Sequence, residues 1–448
     1  MRRVVVLLVL AALSPRAHAD DGDYLLPHPD TKWWLSAQSN FIWQFQPGFQ
    51  SPYAGTNSFL PDDHRALSYV ATIYGGYQIT RTTAVVVDGE SAGGTGLSSA
   101  LGIAGFTNLD VVRNPTLGPT PYLGTAFVEQ IIPLSDHWIP IERDPLHVLH
   151  ALPDHRIELR AGKMSTVYWF DQNEGASDSH RQFMNWTIAN NGAYDYAADT
   201  RGYTLGFMAE YDAPAWAVRI GEFLMPTIAN GIDYDFHVNN ARGEQIEGEW
   251  HDCILGHPGK LRLLAYANHA NMGTYADAIA IFNAEREQNI NNGPPDITTT
   301  RVPGTLKYGF GLNFEQEVLA GLHVFGRFGW NDGKTESFAY TEVDNTVLLG
   351  GDLVNNRWGR PGDKLGIAGV TNGISQDHAN YLADGGLGFL LGDGKLRYGR
   401  EDILEAYYTL RAYKGIFPAV DVQAIAHPGY NTDRGPVVVG SIRLHVEL

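Results

Sequence analysis

The stretch of residues 171–201 concentrates the side chains that could bind a polar solute. It mixes charges of both signs with aromatic rings and amides, and we assign it to the longest loop of the chain. Aromatic rings can stack on sugar faces, while charged groups and amides can hydrogen-bond to hydroxyls. On composition alone, a sugar-contacting loop and an ordered loop without a ligand remain equally open. The side chains concerned are Arg181, Phe183, Asn185, Trp186, Asn190, Asn191, Tyr194, Asp195, Tyr196, Asp199 and Arg201.

No catalytic or cofactor-binding motif accompanies this loop. The sequence has no G-x-S-x-G elbow, no H-E-x-x-H pair, no Walker loop and no Rossmann fingerprint. A histidine cluster lacks acidic or thiol side chains at ligand spacing, so we expect solvated histidines rather than a metal site. The cluster consists of His137, His147, His150 and His155. We therefore predict that the protein is not an enzyme and holds no cofactor or metal.

The elements that position the loop show the pattern of amphipathic strands. Apolar and polar residues alternate along residues 33–45 and again along residues 438–448. Period two is the signature of a β-strand. Because a soluble β-sandwich would alternate in the same way, the pattern predicts strands but leaves open which solvent each face meets. In the final strand one face holds Val438, Ile442, Leu444, Val446 and Leu448, and the other holds Ser441, Arg443, His445 and Glu447.

The N-terminus predicts export. Met1-Arg2-Arg3 precedes an apolar run over residues 4–13, and Ala17-His18-Ala19 has the form of an A-x-A cleavage site. We therefore predict a secretory signal peptide at residues 1–19. No later segment approaches the run of about eighteen apolar residues that a transmembrane helix needs. The formal net charge of -18 argues against nucleic acid as a partner.

Sixteen segments fit the strand pattern, and the connections between them alternate in length. Outer-membrane barrels have short turns at one end and long loops at the other, and a closed sheet leaves no unpaired backbone groups in lipid. We therefore predict an all-β protein, a 16-stranded antiparallel transmembrane β-barrel with short periplasmic turns and long extracellular loops, over residues 20–448. Tight turns are expected near Thr80, Pro214, Pro258 and Gly415, and long loops at residues 46–65, 91–120, 171–201 and 273–304.

Two strand assignments and one insertion are of particular interest. We predict strands over residues 156–169 and 338–349. Residues 134–155 interrupt the alternation with three prolines, and we expect them to form a periplasmic insert.

A barrel of about 16 strands leaves a water-filled lumen rather than a packed core.

Several long motifs resemble those of the OprB-type carbohydrate-selective porins. The similarity extends from about Gly162-Lys163 to the end of the chain, whereas residues 134–155 and 273–304 do not match the family pattern. The matching runs are Phe183-Met184-Asn185-Trp186, residues 191–203, Gly386-Leu387-Gly388-Phe389, Gly392-Asp393-Gly394-Lys395-Leu396, Tyr398-Gly399, Leu404-Glu405 with Tyr407-Tyr408, Tyr430-Asn431 with Asp433-Arg434-Gly435-Pro436, and Arg443-Leu444-His445.

The resemblance implies an outer-membrane porin of a Gram-negative bacterium that passes mono- and oligosaccharides passively. Its pore would be narrowed by loops folded inward, with residues 171–201 as the constriction loop. The partners implied are permeating carbohydrates, outer-membrane lipid and lipopolysaccharide, with a homo-oligomer or a periplasmic partner left open. The constriction candidates are Arg181, Trp186, Asp195, Asp199 and Arg201, with Lys163 and Glu210 as nearby lumen residues.

The unmatched insert at residues 134–155 keeps a second hypothesis open. The same barrel could serve as the outer-membrane channel of a polysaccharide export or secretion assembly, with the insert contacting a periplasmic partner. A hydrolase is the third class, but no motif supports it.

Overall fold

The chain closes into an antiparallel barrel. The computed structural model describes residues 23–448 apart from 113–116, 255, 291–292 and 355–358, and of residues 252–254 it describes the backbone only. The signal peptide predicted at residues 1–19 lies outside the described residues. Sixteen strands of the described chain form one closed sheet, in which the first strand pairs with the last and Phe41 lies opposite Leu444. The predicted fold class is confirmed.

The strands follow one another around the barrel in chain order, except for a separate two-stranded sheet of β5 and β6. They are β1 (Trp33–Gln46), β2 (His64–Gln78), β3 (Thr83–Gly94), β4 (Tyr122–Pro133), β5 (Trp138–Pro140), β6 (Ala151–Pro153), β7 (Arg156–Met164), β8 (Thr204–Ala213), β9 (Trp216–Leu224), β10 (Arg242–Ile254), β11 (His257–Met272), β12 (Val302–Leu319), β13 (Leu322–Asn331), β14 (Asn345–Val354), β15 (Lys364–Gly373), β16 (Glu401–Thr409), β17 (Ile416–Ala426) and β18 (Val437–Glu447).

Among the described residues, the α-helices all lie in the connections between strands. They are α1 (Trp186–Ala189), α2 (Tyr275–Glu287) and α3 (Gln376–Ala383). The side chain of Thr274 accepts the N–H of Asp277 at the start of α2, and Ser375 accepts the N–H of His378 at the start of α3. Among the residues that the structure describes, no helix combines the length and the apolar content needed to cross a membrane.

The strands alternate between an apolar outer face and a polar lumen face, as predicted. On β12 the side chains of Leu306 and Phe310 are nearly half exposed on the outside, whereas Lys307 between them is fully buried in the lumen. On β18 the same alternation places Ile442 outside and Arg443 inside. A barrel of this kind pairs its backbone groups within the sheet and presents hydrocarbon to lipid.

The connections also alternate between the two ends of the barrel. At the end that holds both termini, tight turns follow β2, β8, β10 and β12, although the turn expected at Pro258 falls earlier, at Gly256. At the opposite end, long loops follow β3, β7, β11 and β15. Several of these loops fold into the lumen. The burial of many of their residues shows this.

The strand predicted over residues 156–169 is too long. β7 ends at Met164, and the next residues form a short 3₁₀ turn, Thr166–Tyr168, inside the barrel. The ring of Trp169 then packs edge-to-face against Phe127, with centroids 5.9 Å apart. The apolar and aromatic residues that suggested a continuing strand instead fill the lumen.

The strand predicted over residues 338–349 is wrong in its first half. β14 begins at Asn345, and residues 338–344 form part of an inward loop. The N–H groups of Phe338, Ala339 and Tyr340 bond to the carboxylate of Asp195 at 2.8, 2.8 and 3.1 Å. Because a side chain accepts these N–H groups, the segment needs no neighbouring strand.

Residues 134–155 form a hairpin, built on β5 and β6, at the end that holds the termini. Its Val148 and Leu149 are buried against the barrel. Of the four histidines expected to be solvated, His137 is 74% exposed although it pairs with Asp154. His147, His150 and His155 are partly exposed and bond to Asp144, Asp30 and Tyr211. Within the described residues, no group of three or more histidine, cysteine or acidic side chains is placed to hold a metal ion.

Candidate functional site

The loop of residues 165–203 lies inside the barrel and is fastened to one side of it. Glu405 on β16 accepts the N–H groups of Met184 at 2.6 Å and Asn185 at 3.1 Å. From β13, Arg327 donates to the carbonyl oxygen of Ile188 at 2.8 Å. These bonds hold the loop against β13 and β16, so that the free space of the lumen lies on its other side.

The short helix α1 is placed by one asparagine. The side-chain oxygen of Asn185 accepts the N–H of Thr187 as the N-cap of α1. Its amide nitrogen donates to the Gly105 carbonyl oxygen at 2.8 Å and to the side chain of Gln423 at 2.9 Å. Since Asn185 is fully buried, all its bonds are made to protein. The residue that follows, Trp186, is thereby fixed with its ring facing the remaining space.

That space is a cavity of about 220 Å³ between the loop and strands β2, β3 and β4. It is lined by aromatic rings and by ionisable side chains of both signs. The aromatic residues are Tyr74, Tyr122, Tyr168, Trp186, Tyr196, Tyr203 and Tyr340. The ionisable groups besides the tyrosines are Glu90, Asp110, His180, Asp199 and Arg201. The cavity is large enough for water and polar enough to retain it.

Glu90 on β3 organises one side of this cavity. Its carboxylate accepts the hydroxyl of Tyr203 at 3.0 Å and also the hydroxyl of Tyr122. The guanidinium of Arg201 lies over the Tyr122 ring, 3.8 Å from its centroid, a distance typical of a cation–π contact. Two rings, a carboxylate and a guanidinium therefore form one connected group on the cavity surface.

Asp199 shapes the end of the loop. Its carboxylate accepts the N–H of Arg201 at 2.8 Å, the N–H of Tyr203 at 3.2 Å and the hydroxyl of Tyr234 at 2.9 Å. Gly202 has a φ of +89°, which the tight turn between these residues requires. Burial raises the pKa of Asp199, against the lowering effect of these hydrogen bonds. The turn places Arg201 and Tyr203 beside each other in the cavity.

A second charged pair lies across the cavity. The Nε2 atom of His180 is 3.4 Å from the Oδ1 atom of Asp110, and the Oδ2 atom of the same carboxylate accepts the amide N–H of Asn40 at 2.6 Å. Burial alone would lower the pKa of His180, but the charge of Asp110 and the bond to it prevail and raise that pKa to about 9. Burial likewise opposes ionisation of Asp110, yet His180 keeps the pKa of that carboxyl below its usual value. At neutral pH the pair is therefore ionic.

The structure brings three of the seven predicted site residues to this cavity. Trp186, Asp199 and Arg201 all line it. Lys163 lies at its edge, because its Nζ atom donates to the Leu123 carbonyl oxygen at 2.7 Å and is 5.6 Å from the ring centroid of Tyr203, which lines the cavity. Whether these side chains contact a solute stays a prediction.

Arg181 and Glu210 lie elsewhere in the lumen. Arg181 points toward the N-terminal segment, where it pairs with Asp23 at 3.0 Å and lies 4.8 Å from the Phe417 ring centroid. Glu210 pairs with Arg219 of the neighbouring strand at 2.8 Å. The lining of the cavity includes neither of them.

Asp195 is a fully buried anchor. Besides the three N–H groups of residues 338–340, it accepts a bond from Lys307 at 3.2 Å, and both side chains are almost completely inaccessible. A carboxylate with four donors is satisfied by protein. Its contacts connect residues 165–203 with the inward loop that follows β13.

Sequence reasoning missed most of the cavity. Glu90 and Tyr122 belong to the less similar first third of the chain, and Tyr340 belongs to the segment assigned to a strand. Asp110 is in another loop, 70 residues before His180. The sequence could have indicated these residues only as polar or aromatic side chains on the lumen face of a strand. That pattern does not distinguish a side chain that lines the cavity from one that is buried against other protein atoms.

Comparisons with known proteins agree with this architecture. The sequence profile of the family described as carbohydrate-selective porin, OprB family, matches residues 74–448. No curated protein matches the sequence. Among solved structures, the high-pH structure of Pseudomonas putida OprB matches with a TM-score of 0.69 at 15% identity, over 93% of this chain and 94% of the other. At this identity the structural match shows the fold alone.

Two further structural matches are more distant. The low-pH structure of Pseudomonas putida OprB has a TM-score of 0.48 at 12% identity, over 93% of each chain. A Salmonella typhi OmpF complex with daunomycin has a TM-score of 0.48 at 10% identity, over 96% of this chain and 98% of the other. None of these matches favours the alternative of an export assembly. The profile match covers most of the sequence, and the chain therefore belongs to the OprB family of carbohydrate-selective porins, which places it in the Gram-negative outer membrane as a passive channel for sugars.

Proposed function

We propose that mono- and oligosaccharides cross this porin through the cavity between residues 165–203 and strands β2–β4. One observation supports this route above others: seven aromatic rings and five other ionisable side chains converge on a single cavity of about 220 Å³ inside the barrel. Aromatic faces stack on the apolar faces of sugar rings, and polar groups beside them bind the hydroxyls.

The groups on the cavity surface suit a neutral solute. Arg201 supplies N–H donors, while Glu90 and Asp199 supply carboxylate acceptors on the same surface. A sugar that exchanges its bonds to water for bonds to these groups gains little net free energy. Weak, replaceable binding of this kind permits passage as well as recognition. Because charges of both signs are present, neither sign of solute is favoured throughout the cavity.

The protein acts as a channel and not as an enzyme in this proposal, since its family and fold are those of a porin. Outer-membrane lipid and lipopolysaccharide would surround the apolar outer face, where Leu35, Leu263 and Leu349 are each at least 60% exposed. Such a surface is stable only in hydrocarbon. A homo-oligomer or a periplasmic partner stays a prediction.

The route is tested by removing one ring from the cavity. Tyr122→Ala deletes the ring beneath Arg201 and one hydroxyl bound to Glu90. We expect its maltotriose inhibition constant for single-channel current in a planar bilayer to rise about tenfold, the effect of losing one ring contact worth about 1.4 kcal/mol. The matched control is Tyr308→Ala, because Tyr308 is 45% exposed on the lipid face of β12.

Three results would count against the proposal. The absence of discrete conductance from the wild-type protein would contradict sugar passage, and so would a current insensitive to glucose and maltotriose. An equal change in Tyr122→Ala and Tyr308→Ala would contradict the route through this cavity while leaving sugar passage intact.

A further inference from the structure

The hairpin of residues 134–155 has one half packed on the barrel. Arg143 donates to the carbonyl oxygens of Thr31 and Trp33 at 2.9 and 3.1 Å, and thereby joins the hairpin to the start of β1. Val148 and Leu149 are buried beneath it. These contacts fix the hairpin against the periplasmic rim of strands β1 to β4. It is therefore a positioned part of the barrel end, rather than a free extension.

The other half presents apolar side chains outward. Ile139 on β5 is 45% exposed, and Leu134 at the beginning of the hairpin is 43% exposed. Their neighbours along the rim are similar, since Ile79 after β2 and Ile132 near the end of β4 are 45% and 41% exposed. Four aliphatic side chains along one rim form a surface that water disfavours.

An aromatic side chain and a cation lie beside this surface, because Trp138 and Ile139 are consecutive residues of β5 and face opposite sides of it. The guanidinium of Arg81, in the turn between β2 and β3, stacks 3.6 Å from the ring centroid of Trp138 on β5. Tryptophan is enriched where a membrane meets water, because its ring is apolar and its N–H is polar. Arginine at the same depth can bind lipid phosphate.

The surface is continuous with the lipid-facing belt of the barrel. Ile132 shares the outer face of β4 with Val128, which is 48% exposed. On the adjacent strands, the outward rings of Trp33 and Tyr77 pack with centroids 4.4 Å apart at the same end of the barrel. This pair has the character of the aromatic girdle that flanks a barrel's apolar band.

We propose that the hairpin lies on the periplasmic leaflet and binds phospholipid through Ile79, Ile132, Leu134 and Ile139. The apolar side chains enter the boundary between head groups and acyl chains, and Arg81 binds head-group phosphate. The hairpin thus widens the aromatic girdle over β2, β3 and β4 at the membrane surface. Its occupant is lipid, and not a periplasmic protein or a second copy of the chain.

The test places a fluorophore at two positions of the same hairpin. In a Cys253→Ser background, which removes the single cysteine, Ile139→Cys or Glu142→Cys is labelled with an NBD dye. Glu142 is the control because it is exposed and adjoins Arg143, which joins the hairpin to the start of β1. The full mature chain is reconstituted in vesicles of phosphatidylethanolamine and phosphatidylglycerol, with and without a lipid that bears a nitroxide near the head group.

We expect the nitroxide lipid to quench the dye at position 139 about twofold or more, as the interfacial depth of such a surface requires, and the dye at position 142 much less. Equal quenching at the two positions, or none at position 139, would overturn the proposal. A dye at position 139 that is shielded from water yet not quenched would indicate a protein contact instead, and would also overturn it. Heat-modifiable migration in detergent gels verifies that both labelled variants fold.

Discussion

Two parts of the lumen surface use the same kinds of side chain in opposite ways. The first, which we call the ion-paired wall, consists of arginines and glutamates on β4 to β12 that form ion pairs with one another. Its members are Arg160, Arg219 and Arg262 with Glu129, Glu158, Glu210, Glu247, Glu249 and Glu315. The second, the cavity wall, consists of Glu90, Tyr122, Tyr203 and Arg201.

In the ion-paired wall each guanidinium meets more than one carboxylate. Arg219 is 2.8 Å from Glu210 and 3.0 Å from Glu249, while Arg262 is 2.7 Å from Glu249 and 2.9 Å from Glu315. The shared Glu249 makes these pairs one network across β8 to β12. Its charged groups already have protein partners, so few donors or acceptors remain for a solute.

In the cavity wall the contacts leave Glu90, Tyr122 and Arg201 partly exposed, although Tyr203 is buried. The hydroxyls of Tyr122 and Tyr203 both bond to Glu90, while their rings border open space. Arg201 is positioned by the ring of Tyr122 rather than by a ring of carboxylates. The comparison shows that a charged side chain in a porin lumen indicates solute contact only if protein groups do not already occupy its hydrogen-bonding atoms.

The largest expected effect tests the ion-paired wall. Arg219→Met leaves Glu210, Glu247 and Glu249 facing one another without their shared cation. Because removing one partner of a buried ion pair costs about 3–5 kcal/mol, we expect the free energy of unfolding in detergent to fall by that amount. Urea titration followed by tryptophan fluorescence measures it.

The control for this prediction is an exposed pair. Arg397 has a side chain that is 76% exposed and pairs with Asp433 at 3.1 Å, so Arg397→Met should cost about 1 kcal/mol or less. If both variants lost the same stability, burial would not be what distinguishes the ion-paired wall.

The second effect concerns transport at the cavity wall. Arg201→Ala removes the cation over Tyr122 and leaves Glu90 and Asp199 in place. We expect the ratio of cation to anion permeability, from reversal potentials in a salt gradient, to rise several-fold, about 3-fold to 10-fold. The free energy of unfolding should change by about 1 kcal/mol or less, since cation–π contacts at partly exposed sites are weak.

This prediction also sharpens the comparison with the ion-paired wall. Arg219→Met should disturb stability more than selectivity, and Arg201→Ala should do the reverse. Unchanged selectivity in Arg201→Ala would remove Arg201 from the solute path.

The smallest effect follows from the pKa of His180. That pKa is about 9 in the folded protein, above the usual 6.5 of histidine, so the stabilisation from protonated His180 is complete below about pH 6.5. It is lost as pH rises through 9, while Asp110 remains ionised because its pKa is lowered. Between pH 7 and pH 10 the cavity should therefore become more cation-selective, by about twofold or less.

His180→Gln separates this effect from other titrations, because glutamine keeps a hydrogen-bond donor toward Asp110 and cannot ionise. Reversal potentials of this variant should vary less with pH than those of the wild type. The same pH dependence in both proteins would assign the titration to other groups.

Much of the barrel could be predicted from the sequence because lipid and water impose a strict alternation on each strand. The residues that share a face of β18, among them Ile442 and Leu444, were grouped correctly by period two, and the prediction of a transmembrane barrel then assigned that face to lipid. The same alternation rule gave a wrong strand prediction for residues 338–344. The alternating aromatics of this segment, Phe338 and Tyr340, are buried in the lumen, because Asp195 accepts their backbone N–H groups.

The sequence by itself determined the strand periodicity, the closed antiparallel sheet and the family, since these depend on local alternation and on long continuous motifs. Only the tertiary structure decided which loop residues face the cavity. Asp195 and Asp199 are four positions apart, yet the first is an anchor for residues 338–340 and the second lines the cavity. A loop has no period that fixes the direction of its side chains. Contacts between distant residues, such as Glu405 with Met184, 221 positions apart, set those directions instead.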